Sequence, residues 1–368
     1  MIPDEANPGR FYGLVKNHKE KDSWPAGQHI PPLRPVVSGS GSVSEGISHW
    51  VDEHAKGEVK KLGSWLEDTR HVLEIIQEEN KRGPQPPGTI PVTLDISGMY
   101  TNVPLEEGLR SFEAAMNMRE DQTIPTEFLV RLMRFVCTSN IFVFDRKLFL
   151  QLLGVAMGSR SSPTFSCIFM GNLELPMLSS WEQSGGFMPY LWKRFIDDIL
   201  FFWRGSEEDL LAFISHLNAS HPTIKFEAKA GDSYNFTTRS INFLDLTIWI
   251  DDAGFIQTTL YSKPCRVVSY LLPSSSHPSH ITQNIPFSLD YRLKRIESLQ
   301  CNLEMNLSNL KSELVSRGYR PCSVQDSIDR VMELSREDTL QKVPRPPNKP
   351  CCPVSPLLTR GYQTLLQG

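Results

Sequence analysis

The chain has 368 residues, 40% hydrophobic and 22% charged, with a formal net charge of −4. That is an ordinary globular composition, with length enough for more than one lobe. No apolar run is long enough to span a membrane, the start MIPDEANPGRF lacks a secretory signal's basic and apolar regions, and seven scattered Cys never form C-x-x-C, which together predict reduced thiols in an intracellular compartment rather than a membrane, disulfide or zinc protein.

The first ninety residues mix short strand-like pieces with Pro and Gly, then one amphipathic helix over 67–80 (EDTRHVLEIIQEEN), stopped by KRGPQPPG. TIPVTLDISGMY is a short β-rich run ending in an acidic residue and a turn, and residues 105–118 and 125–138 are helical, with Pro125 near a helix start. IFVFDRKLFLQLLG reads as a hairpin, and GSRSSPTFSCIFMGNLELPML as a Gly/Ser turn opening into a buried helix. YLWKRFIDDILFFW is a second hairpin-like run, interrupted by two Asp, and EEDLLAFISHLNA is a helix. KFEAKA, INFLDLTIWI and FIQTTLYS supply further strands, with a hairpin signal between Asp252 and Gly254. From about residue 286 the pattern is helical, and the segment beginning VPRPPNKPCCPV is too Pro-rich for a packed core. The fold class is α+β, with a mainly antiparallel sheet and a helical C-terminal lobe.

Asp95 ends the apolar strand VTLD, and Asp197 and Asp198 interrupt FIDDILFFW, with large apolar neighbours on both sides. Adjacent carboxylates in such surroundings are costly to desolvate unless a cation compensates them. Mg²⁺ suits carboxylate oxygens together with substrate phosphates, and two such ions support in-line phosphoryl transfer. An isolated Asp-Asp is more often a solvated turn, which is the reading for Asp251 and Asp252. The overall acidity argues against a uniformly basic nucleic-acid binder, but positive charge is concentrated in 10–40, with Arg10, Lys16, Lys19, Lys21 and Arg34, and again in 259–320.

Taken in order, LDISGMYTNVP (94–104), GVAMGSRSSPTFS (154–166), KRFIDDILFFW (193–203) and INFLDLTI (241–248) resemble the successive palm motifs of reverse transcriptases. FYGLVKNHK (11–19) and PLRPVVSGSGSVS (32–44) resemble the finger motifs before them. With LYSKPCRVVSYLLPSSSHPSH (260–280) and LVSRGYRP (314–321), the wording is closest to the telomerase-related reverse transcriptases of Penelope-like retroelements. The resemblance implies a right-hand polymerase: fingers over 1–90, a palm over 91–262 with inserted fingers helices at about 105–155, a thumb over 263–343, and a Pro-rich tail over 344–368. It implies an RNA-directed DNA polymerase, a nucleotidyltransferase that extends a DNA primer on an RNA template with dNTPs and two Mg²⁺ ions, for which Mn²⁺ can substitute.

Under that resemblance Asp95 and Asp197 hold the metals, with Asp198 as a supporting acid. Tyr100 lies under the incoming sugar, where its ring excludes a ribose 2′-OH. Arg34 grips the triphosphate as a planar donor fork, and Lys16 and Lys19 serve the triphosphate or the template backbone. Gly158, Ser159, Ser162 and Pro163 form a turn against the template and incoming base, where small residues allow close approach. Phe243 and Leu244 belong to the primer-grip hairpin, and Lys225 is a candidate proton donor to pyrophosphate. His277 and His280, without a second ligand cluster, read as thumb structure rather than a metal site. The Tyr usual before x-Asp-Asp is replaced by Phe195, which keeps the ring and drops the hydroxyl. The family commonly adds an N-terminal extension and a GIY-YIG endonuclease; neither motif is present here, so autonomous insertion is not expected. The family also implies nuclear residence, with the cytoplasm as a second compartment. Two alternative readings stay open: a catalytically silent or domesticated RNA-binding remnant, and an RNA-dependent RNA polymerase, which Tyr100 disfavours.

Overall fold

A computed structural model describes residues 7–16, 31–228, 231–263 and 269–341. Lys19 and the Pro-rich tail expected over 344–368 lie outside the described residues. In chain order the elements are β1 (Gly9–Val15), β2 (Leu33–Ser38), α1 (Glu45–Val59), α2 (Thr69–Arg82), β3 (Ile90–Ile96), the one-turn α3 (Met99–Asn102), α4 (Leu105–Asn117), α5 (Thr126–Thr138), β4 (Ile141–Phe144), β5 (Lys147–Leu150) and α6 (Ser162–Gln183). There follow β6 (Tyr190–Phe195), β7 (Asp198–Trp203), α7 (Glu207–Ala219), β8 (Phe226–Glu227), β9 (Ser240–Phe243), β10 (Leu246–Ile250), β11 (Ile256–Leu260), α8 (Ser279–Ile296), α9 (Gln300–Ser316), α10 (Pro321–Met332) and α11 (Arg336–Leu340). The arrangement is an α+β right-hand polymerase fold.

The palm is an antiparallel sheet in the order β6-β7-β3-β8. Its two faces are separated by the period-2 alternation of strand side chains. Val92 and Leu94 of β3, with their partners Phe201 and Ile199 of β7, enter a core shared with α1, α4, α5 and α6. Leu200 and Phe202 point the other way, into a second core with Val72, Leu73 and Ile76 of α2 and the strands of the β11-β10-β9 sheet. Fully burying side chains of this size stabilises by roughly 1.5–3 kcal/mol each, so β7 is held from both sides. Local signals agree with this packing. Asp68 caps α2 by accepting from the His71 amide at 2.9 Å, and Ser206 and Asp209 form a reciprocal capping box at the start of α7.

A separate sheet, β2-β1-β4-β5, makes the fingers layer. The hairpin expected from IFVFDRKLFLQLLG is β4–β5, and it joins β1 in parallel. α1 and α2, expected among the fingers, pack into the two palm cores through Val51, Ala55 and Val59 and through Val72, Leu73 and Ile76. α4 and α5, expected as inserted fingers helices, also share the first palm core, and only the hairpin after them reaches the fingers sheet. α1 went unread because its Gly, His and Lys dilute the apolar spacing. INFLDLTIWI is not one strand: it folds back at Leu244, whose φ is 53°, into β9 and β10.

The thumb helices pack around Leu303, Leu307, Leu310 and Leu314, which repeat along one face of α9. Asp290 of α8 lies fully buried in this lobe and accepts from Ser327 Oγ of α10 at 2.5 Å. Burial pushes its carboxyl up to about 6. An acid whose pKa is raised by folding favours the fold while protonated, and that contribution is lost as pH rises through the folded value. We expect wild-type stability to decline relative to Asp290→Asn by on the order of 2 kcal/mol between about pH 4 and pH 7; parallel pH dependences in thermal melts of the two proteins would refute this.

Candidate active site

β3 and β7 bring the acids together by register. Asp95 stands directly opposite Asp198, so both project from the same face of the sheet. Phe195 pairs with Asp198 on one side and Glu227 with Asp95 on the other, giving one transverse row across β6, β7, β3 and β8. Asp197 sits with Ile196 in the two-residue turn between β6 and β7. Its carbonyl accepts from the Ile96 amide at 3.0 Å, which ties the turn to the end of β3. Ile196 has φ 58°, a left-handed conformation that costs a β-branched residue on the order of 1–3 kcal/mol.

This crowding has an electrostatic consequence. Burial, then the charges of Asp197 and Asp95, push the Asp198 carboxyl up to about 7, against the pull of Lys263 and Arg34. Asp197 is also raised by burial, while its own backbone amide and the charges of Arg34, Lys16 and Arg194 oppose the rise. Like charges sharing a partly desolvated site cannot all ionise cheaply. The cations come from the fingers: Arg34 lies on β2 opposite Leu14, and Lys16 follows β1, its amide bonded to the Pro32 carbonyl at 2.9 Å.

Tyr100 is half-buried on α3, against the first core. Burial pushes its phenol well up, with Cys167 and Asp197 adding and Arg34 opposing, so its ring stands within the same electrostatic neighbourhood as the acids. Its position depends on Gly154, which has φ 67° and where a Cβ would lie 2.4 Å from the Tyr100 carbonyl. The Val155 amide donates to that carbonyl at 2.7 Å. Gly158 plays the same part toward the fingers. With φ 131°, it would place a Cβ 2.2 Å from the Val37 carbonyl on β2, while the Val37 amide donates to Met157 at 3.1 Å. Ser159 Oγ meets Ser48 Oγ of α1 at 2.7 Å. The small residues of this turn thus allow close approach of the protein's own backbone, fastening β2 and its Arg34 to the start of α6.

Other expected residues stand elsewhere. Ser162 is 2% exposed inside the first turn of α6, with Pro163 following it there. Phe243 points into the second core, with Leu244 packed against that core at the β9–β10 turn. The Lys225 ammonium donates to the Asn218 and His221 carbonyls at 2.6 and 2.9 Å, at the end of α7, a tie that the loose spacing around TIKFE did not reveal. His277 meets Ser275 Oγ at 2.7 Å. Residues missed from sequence are Lys263, whose charge reaches Asp198, Glu227 in the acidic row, and buried Arg194. Lys263 lies in YSKPCR, whose position after the palm strands was its signal; no sequence signal marked Glu227.

The donor set is entirely carboxylate oxygen, the chemistry of a hard divalent cation. Among the described residues no group of three or more His, Cys, Asp or Glu side chains converges into a cage. The mutual repulsion recorded at Asp198 is what such a cation would relieve.

The fold is that of a right-hand polymerase, with the acids at one end of its palm sheet. A family model described as reverse transcriptase (RNA-dependent DNA polymerase) matches residues 59–248, and the chain belongs to that family. No curated protein matches the sequence. Among solved structures, telomerase from Candida albicans in complex with a TWJ fragment of telomeric RNA is similar at a TM-score of 0.58 and 10% identity, over 90% of this chain and 56% of that one. Apo telomerase from Candida tropicalis is similar at a TM-score of 0.50 and 13% identity, over 92% and 58%. The chain therefore spans little more than half the length of these telomerases, and at such identity the likeness is one of fold.

Gly158→Ala combines a disfavoured φ with a backbone clash. It is expected to destabilise by more than about 1 kcal/mol and to loosen β2. An unchanged melting temperature would remove the argument for the close approach.

Proposed function

We propose that this protein is an RNA-directed DNA polymerase of the Penelope-like type, extending a DNA primer on an RNA template. The observation that carries the reading is the meeting, at one end of the palm sheet, of Asp95, Asp197 and Asp198 with the finger cations Arg34 and Lys16 and the ring of Tyr100. A nuclease acting through the same acids has no use for a finger layer that delivers cations to them. The RNA bound in the similar telomerase structure is consistent with an RNA template.

Asp95, Asp197 and Asp198 would hold two Mg²⁺ ions, which when bound supply charge neutralisation at the transferred phosphoryl group and acidify the attacking hydroxyl. The chain's own residues do the rest. Arg34, a fork of fixed donors, and Lys16 bind and orient the triphosphate, placing positive charge where negative charge accumulates. The turn at Gly158 keeps β2, and so Arg34, in register with the palm. Tyr100, rigidly seated through its carbonyl and half-buried ring, excludes a nucleotide carrying a 2′-OH. Phe195 packs beside Asp198 and supports the row without contributing a hydroxyl.

With an RNA template, a DNA primer and Mg²⁺ or Mn²⁺, purified protein should add dNTPs, and Asp197→Ala should lower extension by at least about 10³-fold, as loss of electrostatic stabilisation does. Binding of the primer–template with no extension by either dNTPs or rNTPs would overturn the reading. Tyr100→Ala should raise rNTP incorporation relative to dNTP, and unchanged sugar selectivity would dismiss Tyr100 as the gate.

A further inference from the structure

Arg194 lies in β6 two residues before the turn that carries Asp197, and its side chain is 2% exposed. Nε donates to Glu174 Oε1 of α6 at 2.6 Å, Nη2 to the Cys167 carbonyl at 3.2 Å and to Glu174 Oε2 at 3.4 Å, and Nη1 to the Ile196 carbonyl at 3.1 Å. Ser64 Oγ satisfies the remaining demand of Glu174 at 2.6 Å. The backbone is fastened as well: the Arg194 amide donates to the Ser64 carbonyl at 2.5 Å, and the Arg194 carbonyl accepts from Leu66 at 2.9 Å.

The Ile196 carbonyl belongs to the peptide that joins Ile196 to Asp197. Its orientation sets ψ of Ile196 and φ of Asp197, and so the direction in which Asp197 leaves a turn already constrained by Ile196 at φ 58°. The guanidinium grips its oxygen on one side of Asp197, while the Ile96 amide grips the Asp197 carbonyl on the other. We propose that Arg194, held by Glu174, is a positioning residue that fixes the peptide between Ile196 and Asp197 and thereby aims Asp197 and Asp198 at the reacting phosphate. A buried ion pair is weak evidence for stability, since well-packed apolar residues often replace one without loss. Here the pair has a geometric task instead. Only a planar fork with several fixed donors serves a carboxylate and two carbonyls together, which a lysine does not.

This inference rests on the polymerase reading, so its test includes a measurement independent of activity. Three proteins are compared: wild type, Arg194→Leu/Glu174→Leu, which removes both buried charges, and Arg194→Lys, which keeps the charge and loses the fork. Melting temperature reports folding, Mn²⁺ titration of the nucleotide-free protein by electron paramagnetic resonance reports the carboxylates, and primer extension at varied dNTP separates kcat from KM. The double variant is expected to melt within a few degrees of wild type, to bind Mn²⁺ several-fold more weakly, and to lose kcat at least tenfold with KM for dNTP changed less than about threefold. Arg194→Lys is expected to show the same two losses. Wild-type Mn²⁺ affinity and kcat in a folded double variant would overturn the proposal. If the double variant does not fold, wild-type values in Arg194→Lys would overturn it instead. Should wild type itself not extend the primer, the polymerase reading fails, and the Mn²⁺ titration still decides the role of Arg194.

Discussion

Three carboxylates at one end of a strand pair, two of them half-buried, set an electrostatic problem around which the rest of the molecule is arranged. Desolvation and mutual repulsion hold Asp198 near neutrality and raise Asp197 as well. Compensation comes mostly from elements distant in sequence, Lys16 and Arg34 from the fingers and Lys263 from beyond the palm, with Arg194 of the adjoining strand beneath the turn. None of these charges belongs to the strand that carries Asp95. A site that needs so many remote partners works only if the backbones carrying them are fastened to one another.

Much of that fastening is backbone on backbone. Gly154 seats the Tyr100 peptide and Gly158 seats the Val37 peptide, each at a distance that leaves no room for a Cβ. The fingers and the palm thus meet through two glycines flanking one turn, and that turn opens α6. Further along the same helix, Glu174 holds Arg194, which in turn holds the Ile196 carbonyl. One helix therefore relates the cation-bearing strand β2 to the acid-bearing turn. This accounts for a helix as long as Ser162–Gln183 being buried along most of its first half.

The same economy governs the palm sheet. Its alternation sends Val92, Leu94, Ile199 and Phe201 into one core and Leu200 and Phe202 into the other, and it also leaves Asp95 and Asp198 on a common face. A slip of one residue between β3 and β7 would turn the acids to opposite faces and expose the apolar partners as well. The packing that stabilises the fold and the register that assembles the site are enforced together.

Local chemistry was legible in the residues themselves. Amphipathic spacing and a Pro/Gly break marked α2, short β-rich runs marked β3 and the β4–β5 hairpin, and the ordered motifs around Asp95, Gly158 and Asp197 resembled those of a reverse transcriptase. These features depend on neighbours within a few positions, which a linear text records. Several others depend on pairs far apart, and only the tertiary structure decided them. The carbonyls of Asn218 and His221 that hold the Lys225 ammonium at the end of α7 left no trace in the sequence. The burial of Ser162 in the first turn of α6 was equally out of reach of the sequence. Arg194 could be read as one more basic residue in KRFIDD until Glu174, twenty residues earlier, came within 2.6 Å. Burial and direction belong to three-dimensional packing, and composition and spacing constrain them only weakly.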